Sequence, residues 1–229
     1  MHRPPVVLAA TSPRLIPQED LIAVIEAVLR IVTRAWIQIR RQGLLTNEHR
    51  QSEILAAGLL YQYMLDVEQK RQPRTPPMKI KSEAATFSTS GQLVPDGRID
   101  IEIIYSLADD PDLRIECKRI STTEVDDPKA KARYYVRGGV LRFVSDQYGW
   151  GQSWGVLIAF VIDGLFQPAV DLVKKYVKNY QNAPSHLMED WGPAGGFVPL
   201  RHIFSTKHRQ GNGRRTIRLL HLFLPFPRR

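Results

Sequence analysis

The run WGVLIAFVI, Trp154 to Ile162, constrains this chain more than any other stretch. It is almost continuously apolar yet too short to cross a bilayer, so it reads as a strand buried on both faces. Such a strand needs a sheet around it, with cover above and below. No other run approaches bilayer-spanning length, and the apolar residues Val6 to Ala10 are too few and too boxed in by prolines for a signal peptide. A membrane partner is therefore not expected. With 229 residues the chain can bury a substantial core, residues 1–17 forming an N-terminal arm and 18–229 a single domain. Its one cysteine excludes an intrachain disulfide framework and fits a reducing, cytoplasmic compartment. A formal net charge of +9 favours a polyanionic partner, nucleic acid foremost.

Helices flank the sheet region in sequence. Pro17, Gln18, Glu19 and Asp20 open a helix whose stripe is Leu21, Ile25, Val28, Val32, Ala35, Trp36 and Ile39, with Arg40 and Arg41 at its end and Gly43 as its cap. Its apolar surface is broad enough to serve as a homodimer or protein-partner interface. A second helix is expected from Thr46 or Asn47 to about Lys70, with Ile54, Leu55, Ala57, Leu59, Met64 and Val67 on a thick apolar face. Glu48 and Glu53 both lie near that face, as dipole partners or as parts of a site. Further on, Pro128 suits the first turn of a helix rich in Lys129, Lys131 and Arg133, while Gly138 and Gly139 either break it or allow close packing. Phe166 to Tyr180 is amphipathic, 181–198 reads as loop, and 200–207 and 216–226 read as strands around the turn RQGNGRR. That turn is either a solvated hairpin tip or a contact to backbone phosphates.

The chemistry sits in GRIDIEIIYSLADDPDLRIECKRI, residues 97–120, two alternating runs joined by an acidic turn. With period 2, Ile99, Ile101 and Ile103 share one side, and Arg98, Asp100 and Glu102 the other. In the second run Ile115 and Cys117 share a side, opposite Arg114, Glu116 and Lys118. An antiparallel hairpin centred near Ala108 or Asp109 sets Asp100 across from Glu116 or Lys118, so that two carboxylates and an ammonium converge. Opposed carboxylates repel unless a positive charge joins them, and a hard divalent cation such as Mg²⁺ would do so. Lys118 would then orient water or balance charge on a phosphate in phosphodiester hydrolysis. The competing reading is a solvated strand face with an ordinary cross-strand ion pair. The histidines lack zinc-like spacing, and Cys117 has core parity rather than that of a nucleophile.

GRIDI followed by IECKR, after a helix carrying Glu48 and before a helix with a basic and aromatic face, resembles the PD-(D/E)XK, or restriction-endonuclease-like, nuclease superfamily. Pro95 and Asp96 imitate the literal PD pair, but Asp100 has the matching parity. The resemblance implies an α/β fold with an αβββαβ core over about residues 44–180, its mixed central sheet flanked by helices. An extra N-terminal helix and a C-terminal β-hairpin lie outside that core. It implies a Mg²⁺-dependent nuclease, with Mn²⁺ as a substitute ion and DNA as the favoured polymer. Asp100, Glu116 and Glu48 would be the metal ligands, Lys118 would complete the catalytic set, and Glu53 could replace Glu48. Lys129, Lys131, Arg133, Tyr135 and Arg142, together with Arg214 and Arg215, would contact nucleic acid. The stretch YVRGGVLRFVSDQYG is similar to a passage of defence-associated nuclease-like proteins, and an antiphage role rests on that likeness alone. The alternative within the same likeness is a catalytically inactive protein that binds or scaffolds nucleic acid.

Overall fold

In the computed structural model the described residues are 18–70, 78–82, 100–104, 113–123, 130–145, 152–179, 187–194, 202–210 and 215–228. The arm 1–17, the hairpin turn after Ile104, Pro95 with Asp96, Lys129 and Arg214 lie outside them. Helix α1 (Gln18–Arg41) buries Val24, Ile25, Val28, Leu29, Val32, Ala35, Trp36 and Ile39. It stops where Gly43 adopts φ 67°, a conformation that costs glycine little; the Gly43 and Leu44 N–H groups close on the Arg40 and Ile39 carbonyls. The apolar stripe is spent inside this chain: Trp36 packs against Phe160 and Phe226 at 5.5 and 5.4 Å between ring centres. The stripe therefore packs against the sheet and the helix Glu53–Gln69 of this same chain.

The single helix expected over 47–70 is two, α2 (Asn47–Gln51) and α3 (Glu53–Gln69). Ser52 sits between them in extended backbone, φ −123° and ψ 117°, its N–H on the Glu48 carbonyl and its Oγ accepting from the Leu55 N–H at 3.3 Å. A serine that satisfies a free helix N–H with its own side chain offers the chain a cap instead of another helical turn. The restart turns Ala56, Ala57, Leu60, Met64 and Val67 inward and leaves Ile54 and Leu55 exposed, contrary to the expected face.

Seven strands form one mixed sheet in the order β1-β2-β3-β4-β7-β6-β5. They are β1 (Lys79–Ser82), β2 (Ile101–Ile104), β3 (Leu113–Ile120), β4 (Trp154–Val161), β5 (Leu187–Pro193), β6 (Ile203–Gln210) and β7 (Arg215–Pro225). β1, β2 and β3 pair antiparallel, β3, β4 and β7 run parallel, and β6 and β5 extend the sheet antiparallel. The C-terminal strand pair is thus part of the sheet, with β7 beside β4 near its centre. β5 corrects the loop expected over 181–198 at residues 187–193; register shifts between Leu187 and Gly192 interrupt its pairing with β6 at the sheet edge.

β4 is buried on both faces, as its apolar run requires. Val156, Ile158 and Phe160 pack under α1 and α3, while Leu157, Ala159 and Val161 pack under the helical segment after β3 and under α6 (Phe166–Asn179). That segment is continuous: α4 (Ala132–Tyr135), a π turn (Val136–Val140) and α5 (Leu141–Val144). Among the described residues no helix is long and apolar enough to cross a membrane.

Candidate functional site

β2 and β3 pair with Ile101 opposite Ile115 and Glu102 opposite Arg114, so Asp100 approaches Glu116 and Cys117 at the mouth of the strand pair. The Asp100 Oδ2 accepts the Cys117 N–H at 2.7 Å. Alternation on β3 sends Ile115 and Cys117 into the core under α1 and α3 and turns Glu116 and Lys118 to the opposite face. Both are almost wholly buried, at 1% and 3% exposure.

Lys118 is the hub. Its Nζ donates to Glu53 Oε1 at 2.9 Å, to Glu116 Oε1 at 2.5 Å and to the Cys117 carbonyl at 2.7 Å, which uses all three ammonium hydrogens. The ring of Tyr134 lies 5.9 Å from the same nitrogen. Glu53 spans two groups: its second oxygen accepts the Arg119 N–H at 3.1 Å, tying α3 to β3. The break at Ser52 makes this contact, because it sets Glu53 at the start of a helix aimed at the strand. Arg142, on α5, brings Nη1 to 3.5 Å from Glu116 Oε1. The other carboxylate oxygen, Glu116 Oε2, is buried with no hydrogen-bond partner among the described residues.

Three carboxylates around one ammonium and one guanidinium make an acidic pocket under electrostatic strain. Burial, ahead of the pull of Lys118, pushes Glu116 from 4.5 up to about 8. Burial also raises Asp100, from 3.8 to about 6, with Lys118 opposing it. For Lys118 burial is the largest influence and favours the neutral amine, but Glu116, Glu53 and Asp100 together outweigh it and hold the ammonium. Burial thus makes Glu116 hold a proton more tightly than an ordinary carboxyl, and an added positive charge would favour its ionised form.

An unpartnered buried carboxylate oxygen beside a second carboxylate is a donor set that suits a hard cation. Among the described residues no group of three or more His, Cys, Asp or Glu could hold an ion by itself. Mg²⁺, which keeps several waters and takes one or two carboxylates plus substrate oxygens, asks for no more than Asp100 and Glu116.

Other expected residues fall elsewhere. Glu48 is exposed in the first turn of α2; the carboxylate that reaches Lys118 is Glu53, because the chain restarts its helix at Ser52. Tyr135 is fully buried, its hydroxyl 2.9 Å from His221 Nδ1, so it does not face a nucleic acid. Lys131 and Arg133 are exposed around the start of α4, and Arg215 is exposed at the start of β7.

Sequence reasoning missed a buried polar relay. His221 Nε2 lies 2.8 Å from Thr206 Oγ1, which lies 2.7 Å from His208 Nε2, and Gln210 donates to the Phe143 carbonyl at 3.0 Å. Burial drives His221 well below its ordinary range, so it stays neutral. The signal was present: Thr206, His208 and Gln210 share the strand parity of Phe204, which packs against the core.

Comparison with known proteins adds no relative to this geometry: no family model matches the chain, and neither a curated protein nor a solved structure gives a significant match.

Proposed function

We propose that the chain is a divalent-metal-dependent nuclease of the restriction-endonuclease-like kind, hydrolysing phosphodiester bonds in nucleic acid, with DNA the favoured substrate. The observation that carries this reading is the convergence of Asp100 and Glu116 on Lys118, with Glu116 Oε2 buried and unpartnered. The mixed sheet and the formal charge of +9 accord with it.

Asp100 and Glu116 would hold Mg²⁺ or Mn²⁺. The bound ion would polarise the phosphoryl oxygen and lower the pKa of a water. Lys118, kept protonated by three carboxylates, would stabilise charge developing on the phosphate rather than accept a proton from water. Glu53 positions that ammonium with one oxygen and the β3 backbone with the other. The exposed Lys131 and Arg133 would meet the polymer's phosphates and set register without reading sequence.

The test is cleavage of single- and double-stranded DNA and RNA with MgCl₂ or MnCl₂, comparing wild type with Asp100→Asn and Lys118→Ala. Each substitution should lower turnover by about 100-fold or more. Undiminished cleavage by both variants refutes the assignment. A second reading, an inactive nuclease-like scaffold, is favoured by the complete use of the Lys118 ammonium within the chain. It predicts nucleic-acid binding that is indifferent to EDTA and no cleavage by wild type.

A further inference from the structure

The helical segment after β3 brings a second protein cation to Glu116, and the π turn aims it. Eight positions separate Tyr134 from Arg142. At about 100° per residue, an uninterrupted α-helix would leave them about 80° apart in azimuth. With one residue absorbed by the π turn, about seven residues of rotation remain and the offset falls to about 20°. Tyr134 and Arg142 then face the same Lys118–Glu116 pair from two turns apart. Gly139 permits the close approach: a Cβ there would meet Leu157 Cδ2 at 2.6 Å and Lys118 Cγ at 3.7 Å. Leu157 is the residue paired with Glu116 across β3 and β4.

Glu116 Oε1 consequently receives two protein cations, Lys118 Nζ at 2.5 Å and Arg142 Nη1 at 3.5 Å, while Oε2 has no partner among the described residues. The two are held differently. Lys118 is buried and locked by Glu53 and the Cys117 carbonyl, whereas the Arg142 side chain is 23% exposed and its contact with Glu116 is longer. A dication entering this carboxylate meets both positive charges, and the guanidinium is the more exposed of the two and makes the longer contact.

We propose that Arg142 is a built-in competitor of divalent cations for Glu116, giving up this carboxylate when an ion occupies the site and passing its guanidinium to the phosphate of an anionic ligand. The competition stands on the geometry; only the choice of nucleic acid as ligand rests on the nuclease reading. By thermodynamic linkage, cation and polyanion then strengthen each other's binding through Arg142.

Calorimetric titration of MgCl₂ into metal-free protein tests the competition without any turnover. Arg142→Ala and Arg142→Gln should bind Mg²⁺ about three- to tenfold more tightly than wild type, the scale of a partly exposed charge contact. Arg142→Lys should stay near wild type, and Arg137→Ala, an exposed charge on the π turn, should change affinity less than about twofold. Unchanged or weaker binding in both neutral variants overturns the proposal, as does an equal gain in Arg137→Ala. In a second arm, anisotropy of a phosphorothioate-substituted DNA duplex is read in EDTA and in MgCl₂. The gain on adding Mg²⁺ should be larger in wild type than in Arg142→Ala; equal gains overturn the hand-over. A wild type that follows this pattern yet cuts nothing retains the exchange and loses the nuclease assignment.

Discussion

The burial of Glu116 predicts that the metal-free protein loses stability as pH rises toward 8, and Glu116→Gln isolates that loss. Glu116 titrates at about 8 when folded against an ordinary 4.5, because burial disfavours its charge. Below 4.5 both states hold the proton and the group contributes nothing. Between 4.5 and 8 the folded state holds a proton that the unfolded state has released, so stability falls by about 1.4 kcal/mol per pH unit. Over the whole interval the loss is on the order of 5 kcal/mol, a large share of a typical domain's total. Asp100, raised from 3.8 to about 6, adds the same sign of slope only below about 6. Lys118, raised from 10.5, contributes stability that is fully present below 10.5 and therefore constant in this window. His221 works in the opposite direction: depressed by burial, it adds stability above its ordinary 6.5 that is lost as pH falls. Glu116→Gln leaves the other three groups in place and removes one titration, so the difference between the two proteins is the quantity to read. Urea unfolding in EDTA at intervals from pH 5 to 9, with a constant m-value, supplies it. The wild-type curve should drop relative to the variant by about 2 kcal/mol between pH 6 and 8. Parallel curves would refute the reasoning that burial raises the Glu116 carboxyl at the centre of this site.

Three further outcomes follow from named contacts. Gly139→Ala should cost about 1–3 kcal/mol, since its methyl would press on Leu157 Cδ2, and Leu157→Ala in the same chain should relieve part of that cost in a double-mutant cycle of urea midpoints. Tyr135→Phe removes the hydroxyl from buried His221 and should cost about 1–2 kcal/mol while leaving DNA affinity unchanged in a filter-binding assay. Glu53→Ala strips a partner from both Lys118 and the Arg119 N–H and should destabilise by about 1–3 kcal/mol, whereas Glu48→Ala on the exposed turn of α2 should stay within about 0.5 kcal/mol by the same denaturation.

The parts of this molecule that were legible in sequence obey a strict short period, and the parts that were not depend on where that period is interrupted. Alternation is fixed at two, so Asp100, Glu116 and Lys118 had to share a side of their strands once β2 and β3 were recognised, and the unbroken apolar run of β4 had to lie mid-sheet. Helical phase is softer. Ser52 can continue a helix or cap one, and apolar residues continue on both sides of it; the capped outcome rotates the following residues, selects Glu53 over Glu48 and exposes Ile54 and Leu55. The π turn does the same after β3. Tyr134 and Tyr135 are neighbours of identical chemistry, one with its ring near the Lys118 ammonium and the other hydrogen-bonded to His221 in the core. Which tyrosine goes where, and whether Arg142 reaches Glu116 from eight positions away, depends on an extra residue within one helical turn. Nothing in the composition of VRGGV demands that bulge. What permits it is the space beside Leu157 and Lys118 that only a glycine at 139 can enter, a property of β3 and β4 rather than of the helix itself.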